Sequence, residues 1–361
     1  NKLMKHYKRL NSKERAKKLD ARTFYNIRSI IGLNWASFFA LIGGRQTGKS
    51  YSVMDFFLKE FFKYGTDFVW LRLTEPSKRK LLKNNAYDFV DPDLVRKYNL
   101  NLRVKGDNVF NVTTNEKGKK EERLMARILC LSTFYNEKGI GYFDKDRIGR
   151  FNIALDEMNR ESNEKNTFDI TYAFVNMMEN LIRNTKRDKD HILRIFLLGN
   201  TLQEASDLMT CFNFLPEKFG RFNVRKKRLV VEYLPNSKAY QEMRKDSVAD
   251  LLSNESSTFS NKVDFDLKLI DKSKLIKPSC IIKFSDEKDT WYTVWNGNIV
   301  HKYNNEKIDN CIYMRPYMNE GTYIKDKVQK VVSMFDMRYL RFHTLIIMRM
   351  FKRELAMIRK G

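Results

Sequence analysis

The feature that most constrains this chain is the segment from Phe38 to Tyr51, FFALIGGRQTGKSY. An apolar run leads into a glycine-rich turn and then into an amphipathic pattern, and Gly43 to Ser50 has the spacing G-x-x-x-x-G-K-S. This is the P-loop pattern, in which glycines let backbone N–H groups wrap a phosphate at a helix N-terminus. A predicted strand precedes the loop and a predicted helix, 52–64, follows it, which is the context that the motif requires. The sequence therefore predicts a nucleotide-binding site here.

The residues of this loop have distinct predicted roles. Lys49 is expected to reach the β- and γ-phosphates, and the Ser50 hydroxyl is expected to bind Mg²⁺. ATP and Mg²⁺ are accordingly the expected substrate and cofactor. The predicted nucleotide-contacting residues are Gly43, Gly44, Arg45, Gln46, Thr47, Gly48, Lys49, Ser50 and Tyr51.

Apolar runs alternate with helical patterns through the next part of the chain. Continuous apolar strands between helices are typical of a mostly parallel sheet with helices on both faces. The predicted fold class is therefore α/β, a P-loop NTPase of the ASCE type. The expected elements are strands at 67–73, 123–134, 151–155, 191–198 and 229–234, a helix at 168–183 and an inserted hairpin at 102–114.

Two of these strands end in polar residues that suit nucleotide hydrolysis. The strand FNIAL is followed by Asp156 and Glu157, as in a Walker B element. Asp156 is predicted to hold Mg²⁺ through water, and Glu157 to polarise the attacking water. Asn200 follows the 191–198 strand, where its amide can sense the γ-phosphate. The alternative interpretation of Asn200 is a residue that favours a turn after a strand.

Arg183 lies between these two strands, in the segment LIRNTKR. An arginine in this connection can enter a neighbouring subunit's site and neutralise transition-state charge, as an arginine finger does. Basic residues are also favoured at helix C-termini. The spacing alone leaves both interpretations open.

The charge balance indicates a polyanionic partner. The 361 residues include 68 Lys and Arg against 44 Asp and Glu, a net charge of +24 at pH 7. Because no apolar run reaches the ~18 residues that span a bilayer, nucleic acid is favoured over a membrane. The basic N-terminal residues 1–29 fit either a nucleic-acid arm or a solvated helix, with 24–31 covering the base pocket.

The composition changes near residue 228 and predicts a division of the chain. The expected parts are a P-loop ATPase domain at 1–228, a polar linker region at 229–262 and a smaller α+β domain at 263–361. An Asn-Gly hairpin turn indicates antiparallel strands in the smaller domain. Its predicted elements are strands at 280–284, 290–295 and 299–303 and a helical segment at 325–360.

With these residues assembled, the chain resembles the DNA-packaging motor ATPases of φ29-like tailed phages, which are relatives of the HerA/FtsK translocases. The similarity extends over most of the length. The P-loop and Asp156-Glu157 are shared by many ATPases, whereas other stretches are more specific. The similar stretches are Tyr64-Gly65, Leu71-Arg72, Leu181 to Asn184, Leu198 to Asn200, Arg221 to Val224 and Tyr339 to Phe342.

This resemblance implies an assembly and two residue roles. Members of the family form a homomeric ring, pentameric in the φ29 type, which docks on the portal of the viral procapsid in the host cytoplasm. The ring drives double-stranded DNA inward with ATP, and some relatives also dock through a structured RNA. The resemblance implies that Arg183 is the trans-acting finger and that Lys138 is a second trans-acting basic residue.

The resemblance also implies that the C-terminal domain is a degenerate RNase H-like nuclease. A catalytic Asp is expected within the first strand of that fold, but Cys280 to Phe284 contains none and has Lys283 instead. Without clustered acids the two-metal mechanism has no ligands, so no nuclease activity is predicted. The basic residues of the domain are expected to contact the DNA backbone or the portal.

Two other functions share some of these features. A P-loop ATPase of DNA replication or repair, such as a helicase or helicase loader, has the same charge and the same two Walker elements, but it has no use for a portal. A nucleotide-gated DNA-binding module uses ATP only as a switch. Glu157 argues against the second alternative, because a general base serves hydrolysis.

Overall fold

The computed structural model describes residues 24–44, 47–133, 149–158, 168–182, 191–200, 207–236, 267–304, 307–319 and 321–359. These residues form two compact units. The first contains the described parts of 24–212 together with 218–236, and the second contains 213–217 together with the described parts of 267–359. Each unit has its own β-sheet.

A nine-stranded mixed sheet forms the first unit, in the order β3-β4-β5-β2-β6-β7-β1-β9-β8. The strands from β5 to β9 in this order pair in parallel, while β3, β4 and β8 are antiparallel to their neighbours. The predicted α/β class, with a mostly parallel sheet, is thereby confirmed. The strands are β1 (Phe38–Ile42), β2 (Phe68–Arg72), β3 (Leu102–Lys105), β4 (Asn108–Thr114), β5 (Lys120–Cys130), β6 (Gly149–Leu155), β7 (His191–Gly199), β8 (Gly220–Val224) and β9 (Leu229–Tyr233).

Four helices of the described chain accompany this sheet: α1 (Lys49–Tyr64), α2 (Glu75–Leu82), α3 (Pro92–Tyr98) and α4 (Ile170–Ile182). Helix α1 is delimited by two glycines in the left-handed region, Gly48 at φ +87° and Gly65 at φ +75°. The Gly65 N–H donates to the Phe61 carbonyl, 2.9 Å away, and so satisfies an acceptor at the helix end. No helix among the described residues has the length and apolar character needed to cross a membrane.

An aromatic cluster fixes α1 against the central strands. Phe57 of α1 is fully buried and contacts Phe68 of β2, with ring centroids 5.0 Å apart. Phe39 of β1 stacks on Phe196 of β7 at 5.1 Å, and Phe57 meets the same Phe196 edge-on at 5.6 Å. Large aromatic rings bury much apolar surface and prefer these offset and edge-on arrangements. The cluster therefore positions the start of α1 at the end of β1.

The position of β9 bears on the predicted linker region. Leu229–Tyr233 lies between β1 and β8, at one end of the parallel part of the sheet, and all five residues are buried. These residues, which the composition places at the start of the linker region, thus belong to the sheet of the first unit. The linker residues 237–262 lie outside the described part of the chain.

The second unit has a five-stranded sheet in the order β13-β10-β11-β12-β14. Its strands β10, β11 and β12 are antiparallel, as predicted, but β13 and β14 pair in parallel with β10 and β12. The sequence did not predict β13 or β14, and β14 divides the predicted helical segment 325–360 into two helices. Each of the two strands returns through a longer connection, which allows parallel pairing. The elements are β10 (Pro278–Lys283), β11 (Trp291–Trp295), β12 (Ile299–Lys302), β13 (Cys311–Tyr313), α5 (Lys325–Asp336), β14 (Arg341–Phe342) and α6 (Leu345–Ile358).

Candidate nucleotide-binding site

The P-loop leaves the sheet at the carboxyl end of β1. The Gly43 N–H donates to the Gly199 carbonyl at the end of β7, 3.1 Å away, and so ties the start of the loop to the next strand. A Cβ atom on Gly43 would lie 2.9 Å from the Leu234 Cβ. Only glycine fits between these neighbours, which explains the first glycine of the motif.

The second motif glycine, Gly48, is constrained by its conformation and by the chain that precedes β1. Its φ of +87° is unfavourable for residues with a side chain, and an added Cβ would lie 3.1 Å from the Phe24 Cβ. Phe24 and the next residues run along the loop: the Tyr25 N–H donates to the Thr47 carbonyl at 2.8 Å, and the Ile27 N–H donates to the Ser52 hydroxyl at 2.9 Å. The segment therefore braces the loop and the first turn of α1 through hydrogen bonds from its backbone N–H groups.

Lys49 is buried, with 5% of its surface exposed, and its ammonium group is enclosed by the loop. Its Nζ donates to the carbonyls of Gly43 and Gly44 at 2.7 and 2.8 Å and to the Thr47 hydroxyl at 3.0 Å. Burial lowers the pKa of Lys49 to about 8, and the nearby charge of Asp156 only partly opposes this effect. A cation held among neutral acceptors can be stabilised by an incoming phosphate group.

Side chains from three elements meet beside Lys49. The Ser50 hydroxyl donates to Asp156 Oδ1 at 3.0 Å, which joins the first turn of α1 to the end of β6. Arg72, at the end of β2, contacts Asp156 Oδ2 at 3.3 Å through its Nη1. The same Nη1 atom lies 2.9 Å from Glu157 Oε2. Arg72 thus bridges both carboxylates of the predicted Walker B pair.

Glu157 differs from Asp156 in exposure and backbone conformation. Its side chain is 54% exposed, against 17% for Asp156, and its φ is +54°. Non-glycine residues rarely adopt this left-handed conformation, which is often found at functional sites. The Met158 N–H donates to the Leu198 carbonyl at 2.9 Å and returns the chain to β7 immediately afterwards. The strained turn therefore points the Glu157 carboxylate outward, towards Arg72.

The remaining predicted site residues fall into two groups. Asn200 directly follows Gly199, the acceptor for Gly43, so it begins at the same edge of the sheet as the P-loop. Tyr51 is 40% exposed in the first turn of α1. The others lie outside the described residues: Arg45, Gln46, Lys138 and Arg183. Their roles stay predictions.

Arg72 is the site residue that has no predicted role in the sequence. It lies 84 positions from Asp156, and a single arginine that ends an apolar strand matches no catalytic motif. The signal that the sequence offers for Arg72 is its place at the end of an apolar strand. β2 pairs in parallel with β6, so Arg72 at the end of one strand was bound to lie near Asp156 after the other.

The side chains at this edge of the sheet suit a magnesium–nucleotide complex. Mg²⁺ prefers oxygen ligands such as carboxylates and hydroxyls, and Ser50 and Asp156 present these oxygens 3.0 Å apart. Lys49 supplies a buried cation, and the N-terminus of α1 supplies backbone N–H groups for phosphate oxygens. The arrangement can bind a nucleoside triphosphate and place a carboxylate beside it.

A protein-family model matches nearly the whole chain. The model described as podovirus DNA encapsidation protein (Gp16) matches residues 19–360. The chain belongs to this family. The match extends over both structural units, and it confirms the resemblance drawn from the P-loop, the Walker B pair and the more specific stretches.

Individual relatives are similar over a shorter region. The DNA packaging protein of Bacillus phage phi29 is 26% identical over 231 residues, which are 63% of this chain and 60% of that protein. The DNA packaging protein of Bacillus phage B103 is 25% identical over 210 residues, which are 57% of this chain and 56% of that protein. The matched region thus spans about three fifths of these relatives' length at most.

Solved structures show the same fold over nearly the whole chain. A chain of the bacteriophage Phi-29 viral genome packaging motor assembly superposes with a TM-score of 0.63 at 22% identity and covers 93% of this chain and 99% of its own. The Phi-28 gp11 DNA packaging motor gives a TM-score of 0.56 at 14% identity, covering 93% and 97%. Both structural units are therefore part of the shared fold.

Proposed function

We propose that this protein is the ATPase subunit of a viral DNA-packaging motor, which hydrolyses ATP at its P-loop to drive double-stranded DNA into a procapsid. The observation that carries the proposal is the meeting of Lys49, Ser50 and the Asp156-Glu157 pair at one edge of the sheet. The family match and the relatives named as DNA packaging proteins support DNA packaging as the process that ATP hydrolysis drives.

The residues divide the reaction between binding and proton transfer. Lys49 turns its ammonium from the loop carbonyls to the β- and γ-phosphates, while backbone N–H groups at the start of α1 hold the remaining phosphate oxygens. Ser50 and Asp156 would hold Mg²⁺, which would neutralise charge on the phosphates. Glu157 accepts a hydrogen bond from the attacking water and polarises it.

Arg72 controls where the Glu157 carboxylate lies. Its guanidinium lies 2.9 Å from Glu157 and 3.3 Å from Asp156. Arg72 thus contacts both the carboxylate that would help to hold Mg²⁺ and the carboxylate that would polarise water. Arg72 therefore acts as a positioning residue for the general base.

The proposed assembly is a homomeric ring, a pentamer by analogy with the φ29 type, docked at the portal vertex of the procapsid in the host cytoplasm. A structured RNA, through which some members of the family dock, is a further component of the proposed docking site. Within the ring, Arg183 of one subunit enters the neighbour's site as an arginine finger, and Lys138 adds a second cation. Removal of such a finger typically costs ~10³ or more in rate.

Trans action can be tested by mixing two inactive variants. Glu157→Gln subunits cannot hydrolyse ATP but still offer Arg183, whereas Arg183→Ala subunits keep their own site but offer no finger. If the finger acts in trans, rings that contain both variants should recover ATPase activity that neither has alone. Mixtures that remain as inactive as the separate variants would exclude this arrangement.

The packaging role is tested with purified procapsids and viral DNA. The expected result is ATP-dependent protection of full-length DNA from added nuclease, which is lost with Glu157→Gln although that variant still binds ATP. The general-base substitution keeps the side-chain volume, so lost packaging would report lost chemistry. ATP turnover that neither requires nor responds to DNA and procapsids would contradict the proposal and favour a replication or switch function.

The second unit is proposed to be an RNase H-like domain without nuclease activity. Three antiparallel strands with a parallel strand beside the first, β13 next to β10, support this assignment. Lys283 of β10 is buried, and its ammonium lies 3.7 Å from the centre of the Trp291 ring. The position expected for a catalytic carboxylate is thus occupied by a cation on an aromatic ring.

Purified protein should therefore leave supercoiled plasmid uncut in Mg²⁺ or Mn²⁺. The acids nearest to β10 in the sequence, Asp286, Glu287 and Asp289, are exposed in the following turn. Within the described residues no cluster of three His, Cys, Asp or Glu side chains suits a metal ion. Metal-dependent cutting that Asp286→Asn or Asp289→Asn abolishes would overturn this assignment.

A further inference from the structure

Four consecutive cations form the turn between β8 and β9. Arg225–Lys227 is a single turn of 3₁₀-helix, and Arg228 follows it with φ +49°. All four side chains are exposed. We refer to Arg225–Arg228 as the basic turn.

The basic turn is held rigidly to the start of β1. The Arg228 carbonyl accepts hydrogen bonds from the Ser37 N–H at 2.9 Å and from the Phe38 N–H at 3.0 Å. The Arg225 guanidinium lies over the ring of Trp35, 4.1 Å from its centre. The backbone of the turn and the Arg225 side chain are therefore held in place, and the four cations extend from an anchored turn.

Below the turn, the hairpin is anchored through one ion pair. Arg221 of β8 binds Glu232 of β9, which is fully buried, and it also donates to the Ser29 carbonyl at 3.2 Å and the Ser29 hydroxyl at 2.7 Å. Glu232, the acidic residue of this hairpin, thus forms its ion pair with Arg221 and not with a residue of the basic turn.

The basic turn contrasts with other basic groups of the first unit. Lys59 and Lys97 both pair with Asp55, and Arg103 and Lys105 both pair with Glu122. Among the described residues, no carboxylate forms an ion pair with any member of the basic turn. Four adjacent like charges repel each other, and no ion pair among the described residues offsets that repulsion.

We propose that the basic turn is a contact site for the phosphate backbone of a nucleic acid. Exposed cations that form no ion pairs bind phosphates without regard to sequence, and condensed counterions are released when they do so. A protein partner would favour apolar contacts at the centre of the surface, whereas this turn offers cations and one half-buried tryptophan, whose ring Arg225 covers. The inference rests on the proposed function only for its choice of nucleic acid as the polyanion.

This contact site is separate from the nucleotide site. The basic turn is bonded to the first residue of β1, and the P-loop follows the last. The five residues of β1 span ~17 Å at ~3.3 Å per residue. Substitutions in the turn should therefore leave nucleotide binding and basal ATP hydrolysis unchanged.

The test is the salt dependence of binding to random-sequence duplexes, one of DNA and one of RNA, measured by fluorescence anisotropy on the full chain. The test variant is Lys226→Gln/Lys227→Gln/Arg228→Gln. The matched control is Lys117→Gln/Lys119→Gln/Lys120→Gln, which removes three exposed lysines from the β4–β5 hairpin tip, where Glu116 and Glu121 are their neighbours in the sequence. Both variants lose the same formal charge.

The slope of log K against log salt is negative, and each phosphate contact contributes about 0.9 to its magnitude. The magnitude of the slope should therefore be lower by about 2 to 3 in the test variant and by less than about 1 in the control variant. Below, a lower slope means a slope of smaller magnitude. A lower slope with the DNA duplex identifies DNA as the source of the phosphates, and a lower slope with the RNA duplex alone identifies RNA. An unchanged slope with both duplexes, equal changes in both variants, or no binding by the unsubstituted protein would overturn the inference.

Basal ATP turnover of the same preparations separates this inference from the proposed function. Normal turnover with an unchanged slope rejects the basic turn as a contact site and leaves the ATPase proposal intact. A lowered slope in a protein without ATP turnover supports the contact site and counts against the ATPase proposal.

Discussion

Among single residues, Lys49 couples the protonation of the site to ligand binding. Its pKa of about 8 in the nucleotide-free protein reflects burial, and phosphate oxygens would stabilise its protonated form. Above pH 8 the free protein must take up a proton to bind ATP. We therefore expect the affinity for ATP to fall about tenfold per pH unit above pH 8, as measured by calorimetry between pH 7 and pH 9.5.

The control for this prediction is Lys49→Met, which should bind ATP more weakly and without this pH dependence.

The lowered pKa of Lys49 also predicts how the stability of the protein without ligand depends on pH. Because the folded pKa lies below the ordinary value of 10.5, the unfolded chain binds more protons between pH 8 and pH 10.5, and the free energy of unfolding rises with pH in that range. If ATP affinity and the free energy of unfolding depended on pH in the same way in the unsubstituted protein and in Lys49→Met, this would contradict a lowered pKa of Lys49.

Arg72 provides a second prediction for a single residue. Arg72→Ala should lower kcat for ATP by about tenfold or more and change KM by less than about threefold, because it misplaces the general base but removes no phosphate contact. Arg72→Lys should restore part of kcat, since an ammonium can still bind Glu157. A loss of stability without a change in kcat, or a rise in KM alone, would show that Arg72 does not position the base.

Among the structural elements, α1 is joined to the strands of the site at both ends. Ser50 in its first turn meets Asp156, and Glu60 in its last turns meets Arg150 of β6 and Arg194 of β7 at 2.5 and 3.6 Å. The Glu60 side chain is only 10% exposed. The helix that begins at the P-loop is therefore clamped to the same strands that end in Asp156 and Asn200.

Removal of this clamp has a measurable cost. Glu60→Gln should lower the free energy of unfolding, measured in urea, by about 3 kcal/mol, because it removes the charge of one partner from two mostly buried ion pairs. The matched control is Asp93→Asn, which breaks an exposed ion pair with Arg96 on α3 and should cost less than about 1 kcal/mol. Equal losses in the two variants would show that Glu60 is not a clamp.

Sequence patterns predicted the elements with strong apolar signals and missed the weak ones. β1, β2, β6 and β7 are continuous apolar runs, and the hairpin at 102–114 has the predicted turn. Helix α2, EPSKRKLL, is mostly polar and gives no clear period, and β13 and β14 have three and two residues. Edge strand β8, GRFNV, is only partly buried, so its alternation is weak.

The site shows the same division between local and distant information. The P-loop and the Asp-Glu pair are local patterns, so both were found, although Ser50 and Asp156 are 106 positions apart. Arg72 has no local pattern, because its role follows from which strands are neighbours. Strand order in a parallel sheet is decided by packing of the whole unit, and a single sequence does not display it.

For the whole molecule, the central question is which anions a chain with a net charge of +24 binds. The first unit has two places for anions: the P-loop at one end of β1, where Lys49 is buried, and the basic turn at the other end, where four cations are exposed. The first suits a triphosphate and the second suits a nucleic-acid backbone. Membership in the DNA encapsidation family supports a protein that uses both.

The most direct test of this account is steady-state ATP hydrolysis by the purified protein, with and without long double-stranded DNA, alongside Glu157→Gln. The account predicts turnover that DNA strongly stimulates and that the substitution lowers by about 10² to 10⁴, the usual contribution of a general base. Calorimetry should show that the variant still binds ATP. Absence of turnover by the unsubstituted protein, even with DNA and procapsids present, would contradict the account.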